Sequence, residues 1–179
     1  NAGVLGAVKV LAEKLKPHFY YDGGDTANMD SMNHHGGGAW GELEGKRFYK
    51  DIAWLRGYTA FIDSLSCFKE KWIIDSNHMD WLDRFLEKYP PLKGFMDWDA
   101  LSKNYFPKWN VLHRGHAQPT IVRFMDIVLR HGDQENLLKA FRLYLKYIGG
   151  HLHTRMGLGR IMKTGPACNL EAKYLKGNQ

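Results

Sequence analysis

The chain has 179 residues, with 25 Lys and Arg against 19 Asp and Glu, and its charge is unevenly distributed. Residues 101–179 carry thirteen basic and four acidic side chains, residues 51–100 carry six and nine, and residues 1–50 carry six of each. A basic region of this kind attracts an anionic partner. The two cysteines are too few for a disulfide framework and favour a reducing compartment, and no uncharged apolar run reaches the ~20 residues of a membrane-spanning helix.

The first segment predicts an amphipathic helix over residues 2–16, ended by Pro17. Its apolar residues recur at helical spacing at Val4, Val8, Leu11 and Leu15. Three lysines accompany them, so we expect this helix to dock on an anionic surface or in a partner groove.

Residues 17–46 are rich in Gly and Asx and predict a long loop. Three of its carboxylates, Asp22, Asp25 and Asp30, are oxygen ligands of the type that calcium prefers. Their spacing departs from that of an EF-hand loop and lacks the closing Glu. Asx turns account for them more simply.

Residues 47–74 predict the central helix of the fold. Aromatic and apolar residues recur at spacings of three and four, at Trp54, Tyr58, Phe61, Leu65, Phe68 and Trp72. A line of small residues from Ala53 to Cys67 predicts the close approach of another backbone. A helix that is apolar on most sides is buried on most sides, so we expect it to organise a helical bundle.

Four further helical segments are predicted downstream. They start at Ser76 or Asn77 (ended by Pro90), at Asp97 (a weak turn through Leu101), at Pro119 and at Asp133. Because no convincing period-two strand is seen, the sequence predicts an all-α fold of about five helices. It forms a single domain over residues 1–179, with a helical core over 47–150 and an extended basic tail over 151–179.

The basic region predicts a surface for an anionic partner, either RNA or anionic lipid. The cations assigned to it are Lys139, Arg142, Lys146, Arg155, Arg160 and Lys163. Three of them share one face of the helix predicted over residues 133–148.

Histidines offer a different possibility. The pairs His113 with His116 and His151 with His153 predict a metal or haem site if they converge, since transition metals favour imidazole. The chain has no Glu-x-x-His, no His-Glu-x-x-His and no Gly-x-Ser-x-Gly motif, so common di-iron, zinc-protease and serine-hydrolase patterns are missing.

The leading hypothesis is a non-catalytic structural or accessory subunit of a larger assembly, with no cofactor and no small-molecule substrate. It binds other protein subunits through basic and aromatic surfaces, the latter supplied by six Trp, nine Tyr and nine Phe. We expect an intracellular, mitochondrial, membrane-associated complex. Two alternatives stay open: an RNA-binding protein of ribosomal type, and a histidine-liganded metal or haem enzyme.

Overall fold

The protein is a mixed α/β molecule, so the all-α prediction is wrong. The computed structural model describes residues 2–32, 44–74, 76–113, 121–131, 146–150, 156–159 and 161–163. Its helices are α1 (Ala2–Leu15), α2 (Phe48–Asp63), α3 (Asp80–Lys88) and α4 (Trp98–Tyr105), with short 3₁₀ helices at Asp30–Met32 and Pro90–Leu92. Its strands are β1 (Phe19–Asp22), β2 (Glu70–Ile74), β3 (Asn110–Leu112), β4 (Val122–Phe124), β5 (Ile127–Arg130), β6 (Lys146–Gly149), β7 (Met156–Leu158) and β8 (Ile161–Lys163).

The chain divides into two compact units. The first unit comprises His18–Thr120, and the second unit combines Asn1–Pro17 with Ile121–Gln179. The first unit has twelve basic and fourteen acidic residues, whereas the second has thirteen basic and five acidic. The charge asymmetry of the sequence therefore follows this division. The single domain over residues 1–179 stays a prediction.

The first unit contains a parallel sheet with strand order β1–β2–β3. Asp22 of β1 lies beside Ile73 of β2, and Ile74 lies beside Leu112 of β3. The connection from β1 to β2 contains α2, and the connection from β2 to β3 contains α3 and α4. Ile73 and Ile74 are fully buried, as is typical of a central parallel strand. All three strands end at the same edge of the sheet.

The predicted central helix over residues 47–74 is instead a helix followed by a strand. α2 ends at Asp63, and the backbone N–H of Ser64 still bonds back to the carbonyl of Ala60 at 3.0 Å. The chain then turns and returns as β2. The spacing of three and four persists across this turn, but the adjacent isoleucines at the end of β2 favour a strand.

α2 is buried on one face only. Its buried side chains are Ile52, Leu55, Thr59 and Ile62. The line of small residues is exposed from Ala53 through Gly57 and Ala60 to Ser64. The predicted close approach of another backbone along this line is therefore not found within the first unit.

The helix predicted from Ser76 or Asn77 is confirmed as α3, and the weak turn predicted from Asp97 through Leu101 is the longer helix α4. α3 follows Ser76, whose hydroxyl oxygen accepts the backbone N–H of Met79 at 3.3 Å, and it ends before Pro90. α4 follows Asp97, whose carboxylate accepts the backbone N–H of Ala100 at 2.9 Å. The Asp97 bond satisfies an N–H group that a helix leaves free in its first turn, whereas the Ser76 bond lies in the turn that precedes α3.

The second unit contains a sheet with strand order β4–β5–β6–β8–β7. Strands β5, β6 and β8 are parallel, whereas β4–β5 and β7–β8 are antiparallel pairs. The helix predicted from Pro119 is wrong, because β4 and β5 form a hairpin whose turn includes Met125 at φ +53°. The Val and Ile residues of this segment favour strands, and a short apolar run fits either period.

The remaining predicted segments have mixed outcomes. The N-terminal helix is confirmed as α1, and its docking role stays a prediction. The helix predicted from Asp133 lies mostly outside the described residues, and its last residues form β6. β7 and β8 replace part of the predicted extended tail, and residues 164–179 are outside the described ranges. None of the described helices combines the length and apolar character that crossing a bilayer requires.

Candidate functional site

The strand ends of the first unit place polar residues from distant parts of the chain at one edge of the sheet. Neighbouring strands in a sheet lie about 4.8 Å apart, and ligands of open α/β sheets bind outside the carboxyl ends of the strands. Three segments leave this edge: residues 22–26, residues 76–78 and His113. We call them together the carboxyl edge.

Asp22, the last residue of β1, holds the loop that follows it. Its Oδ1 accepts the backbone N–H of Gly24 at 3.0 Å, which is the predicted Asx turn. Its Oδ2 accepts the hydroxyl groups of Thr26 and of Tyr58, the latter at 2.5 Å. The Tyr58 hydroxyl lies 2.8 Å from that of Tyr20. One buried carboxylate thus joins β1, the loop and α2.

Burial governs the protonation of these side chains. Desolvation raises the pKa of Asp22, although the hydrogen bonds from Thr26 and Tyr58 act in the opposite direction. Burial also raises the pKa of Tyr58, and raises the pKa of Tyr20 to about 12. Both tyrosines therefore remain protonated at neutral pH, and Tyr58 is a hydrogen-bond donor to Asp22.

Asp25 occupies an uncommon backbone conformation in this loop. Gly24 and Asp25 have φ values of +95° and +60°. This region suits glycine and is tolerated by Asp, whose short side chain bonds locally. The carbonyl of the next residue, Thr26, accepts the indole N–H of Trp54 at 2.8 Å. α2 therefore holds the loop on both sides of Asp25, at Thr26 and at Asp22.

His78 lies in the turn between β2 and α3. Its ring stacks on that of Trp81, with centroids 4.6 Å apart. Its Nδ1 atom is buried and has no hydrogen-bond partner among the described residues. Because a buried polar atom without a partner is costly, such an atom calls for an explanation, and binding of an ion or ligand is one. Asn77 precedes it and carries an amide oxygen, which is a metal-ligand type.

His113 directly follows β3. Its Nε2 lies 3.2 Å from Oδ1 of Asp99 on α4. The Asp99 side chain is largely exposed, so this pair contributes little stability. It does give the His113 ring a partner on α4 at the third strand end.

The second unit has a strand edge of its own. Arg130 and His131, at the end of β5, are both buried. The backbone N–H of Gly150, just after β6, bonds to the carbonyl of Arg130 at 3.4 Å, so the ends of β5 and β6 are adjacent. His151 and His153 come next in the sequence and lie outside the described residues. Among its described residues this edge offers imidazole and guanidinium groups but no carboxylate.

Histidines are concentrated after parallel strands in both units. Six histidines lie within the four residues that follow the carboxyl end of a strand that has a parallel partner. They are His78, His113, His116, His131, His151 and His153. They are six of the nine histidines in the chain. The four positions after each of the six such strands make up 24 of 179 residues, so an even distribution would place about one histidine there.

Of the four histidines predicted to bind a metal, the structure describes only His113. His116, His151 and His153 lie outside the described residues, so their convergence stays a prediction. Within the described ranges, no three His, Cys, Asp or Glu side chains lie close enough together to hold a metal ion.

The predicted basic surface is only partly described. Lys146 begins β6, so the prediction that it shares a helical face with Lys139 and Arg142 is wrong. Its Nζ pairs with Oδ2 of Asp126 at 2.7 Å, and this bond lowers the pKa of Asp126. Lys163 ends β8. Outside the described residues lie Lys139, Arg142, Arg155 and Arg160.

Sequence reasoning missed His78 and His131 and treated Asp25 only as a turn residue. A signal for the two histidines was present, because each follows a short run of apolar residues: Trp72 to Ile74, and Ile127 to Leu129. Such runs, followed by polar residues, are typical of buried parallel strands and the edge at which they end.

Comparison with protein-family models, with curated proteins and with solved structures gives no match to this chain.

Proposed function

We propose that this protein is a divalent-metal-dependent hydrolase that acts on phosphate esters. A histidine-liganded metal enzyme is one of the alternatives predicted from the sequence; the proposed site keeps the metal, takes its oxygen ligands from Asp25 and Asn77, and involves no haem. The observation that carries it is the buried Nδ1 atom of His78, which has no hydrogen-bond partner among the described residues, at the strand edge of the first unit that also carries Asp25, Asn77 and His113. That is where open α/β sheets bind their ligands.

The residues of the carboxyl edge have chemical types that suit such a reaction. Asp25 and Asn77 supply oxygen atoms for a divalent cation. Such a cation, when bound, neutralises phosphate charge and activates water. His78, next to Asn77 in the chain, supplies an imidazole, the side chain best suited to protonating a leaving oxygen near neutral pH. The buried Nδ1 of His78 without a partner supports a role for this ring beyond packing.

The net charge of +6 favours an anionic substrate, because a positively charged protein raises the concentration of anions around it. Phosphate esters combine negative charge with a bond that metal ions help to hydrolyse. Non-catalytic assembly, RNA binding and a mitochondrial location stay predictions, and no described contact favours them over this reading.

The test is hydrolysis of bis(p-nitrophenyl) phosphate, followed by release of p-nitrophenolate. We expect activity with Mn²⁺, loss of activity after chelation, and recovery when Mn²⁺ is restored. Asp25→Asn should lower kcat/KM by at least about 100-fold, because it removes a charged ligand while retaining a residue that tolerates positive φ.

Asp30→Asn is the matched control, since it makes the same change in the 3₁₀ helix of the same segment. It should leave kcat/KM unchanged. Absence of metal-dependent hydrolysis in the folded protein would contradict the proposal, as would equal losses in the two variants.

A further inference from the structure

Trp54 is an exposed aromatic residue that the structure holds beside the candidate site. It lies on α2, and 48% of its surface is accessible. Its indole N–H donates to the carbonyl of Thr26 at 2.8 Å. Thr26 directly follows Asp25 in the chain, so the ring lies next to the loop that carries this carboxylate.

The contact with Thr26 fixes the ring and leaves apolar surface available. Indole has a single donor, and the protein already uses it. The rest of the ring is not covered within the first unit, so its exposed surface is available to a ligand. Tyr49, five residues earlier on the same helix, is 67% exposed, and no described contact ties it to this loop.

A fixed aromatic face beside a phosphate-ester site suits a substrate with a planar aromatic group. Nucleobases stack on Trp irrespective of their sequence because every base has a π-face, and a ring that is already oriented loses little freedom on binding. A sugar phosphate without a base has no group that stacks in this way.

We propose that Trp54 stacks on the base of a nucleotide substrate and so selects nucleotide phosphate esters over sugar phosphates. This inference rests on the proposed function for the position of the phosphate. It adds the substrate class and names Trp54 as the residue that determines specificity.

The test compares the binding of adenosine 5′-monophosphate and ribose 5-phosphate by calorimetry, on the full chain with Mn²⁺ present. We expect wild type to bind the nucleotide about tenfold more tightly than the sugar phosphate. Trp54→Leu should abolish that ratio, whereas Trp54→Phe, which keeps an aromatic ring but not the indole N–H, should retain part of it. Both variants lose the bond to Thr26, so any change in the affinity for ribose 5-phosphate should be the same in the two.

Tyr49→Leu is the matched control, since it removes an exposed aromatic residue from the same helix, and it should leave the ratio at its wild-type value. Circular dichroism establishes that each variant is folded. Equal affinities for the two ligands in wild type, or an unchanged ratio in Trp54→Leu, would overturn the stacking proposal.

The two proposals fail in different ways. Metal-dependent hydrolysis without a preference for the nucleotide overturns the role of Trp54 and leaves the proposed function standing. A Trp54-dependent preference for the nucleotide, without any metal-dependent hydrolysis, overturns the proposed function and supports the stacking role.

Discussion

The two units differ in the chemistry that they place at the ends of their parallel strands. In the first unit, the strand ends carry carboxylates, an amide and imidazoles, and a buried Asp22 holds the loop around Asp25. In the second unit, the described strand ends carry Arg130 and His131. The excess of acidic over basic residues is two in the first unit, whereas basic residues exceed acidic ones by eight in the second.

This difference shows that the charge asymmetry of the sequence has a structural counterpart. Oxygen ligands suited to a cation belong to one unit, and the net positive charge suited to an anion belongs to the other. The charge summed over the last 79 residues reveals the excess of cations, but it does not reveal the oxygen ligands. Substitutions confined to one unit can therefore test each half of the comparison separately.

The largest stability effect is expected at the buried ion pair of the first unit. Nζ of Lys71 in β2 lies 2.8 Å from Oδ1 of Asp63 at the end of α2, and the two side chains are 9% and 23% exposed. Asp63→Ala leaves a buried ammonium group without its partner and should cost about 3 kcal/mol.

Lys71→Met should cost less, because the carboxylate that it leaves behind is closer to solvent and the new side chain is apolar. Chemical denaturation of the two variants measures the difference. Equal losses would contradict the assignment of Lys71 as the more deeply buried partner.

The second largest effect is expected in the sheet of the second unit. A Cβ atom at Gly149 would lie 2.7 Å from Cε1 and Cζ of the fully buried Tyr147 ring. Gly149→Ala should therefore destabilise this sheet by about 2 kcal/mol, measured by hydrogen exchange of β6.

Gly57 on α2 provides a control with the opposite sign. No atom lies within 4 Å of its ideal Cβ position, and it is exposed in a helix. Gly57→Ala should stabilise the protein by about 0.5–1 kcal/mol. If Gly149→Ala and Gly57→Ala changed the stability in the same direction, the close packing around Gly149 or the exposure of Gly57 would be contradicted.

A smaller and pH-dependent effect is expected at Tyr58. Burial raises the pKa of Asp22 above its ordinary value of 3.8. Below pH 3.8 the Asp22 carboxyl is protonated in both the folded and the unfolded state. Its contribution to stability is fully present there and falls as the pH rises through its folded pKa. Tyr58→Phe removes a donor to the ionised form, so it should cost about 1.5 kcal/mol at pH 8 and less at pH 4.

Tyr49→Phe makes the same change at an exposed site on α2 and should have no effect at either pH. Urea unfolding at the two pH values measures all four quantities. A loss for Tyr58→Phe that is equal at pH 4 and pH 8 would contradict the role of its hydroxyl in holding the Asp22 carboxylate.

The smallest effect is expected at the N-terminus of α4. The pKa of Asp97 is lowered by backbone N–H groups, first that of Ala100 and then that of Gly94. Its contribution to stability is therefore present above its ordinary value of 3.8 and is lost as the pH falls through the lower folded pKa. Asp97→Ala should cost about 1 kcal/mol at pH 7 and less at pH 2 in thermal unfolding.

The fold could be predicted from the sequence only where the determining signals are local. The hydrogen bonds at Ser76 and Asp97 and the apolar spacing in α1 act over a few residues, and the sequence predicts helical structure at all three places. The sheets depend on pairs that are distant in sequence, such as Tyr21 beside Trp72. Strands of three to five residues carry too few positions to establish a period of two.

The candidate site was missed for the same reason. Asp25 and His78 follow neighbouring strand ends only because β1 and β2 are adjacent and parallel. In the predicted all-α fold, Asp25 lies in a loop and His78 lies near the start of a helix, and no feature of that fold brings the two residues together. The histidine pairs were visible in the sequence, but their relation to strand ends required the fold.

The central claim is that the carboxyl edge of the first unit binds a divalent cation through Asp25. Titration of the protein with Mn²⁺, followed by the loss of the electron paramagnetic resonance signal of free Mn²⁺, tests it directly. We predict that wild type and Asp30→Asn bind one Mn²⁺ per chain and that Asp25→Asn binds it at least about tenfold more weakly. Absence of bound Mn²⁺ in wild type, or equal affinities in wild type and Asp25→Asn, would contradict the claim.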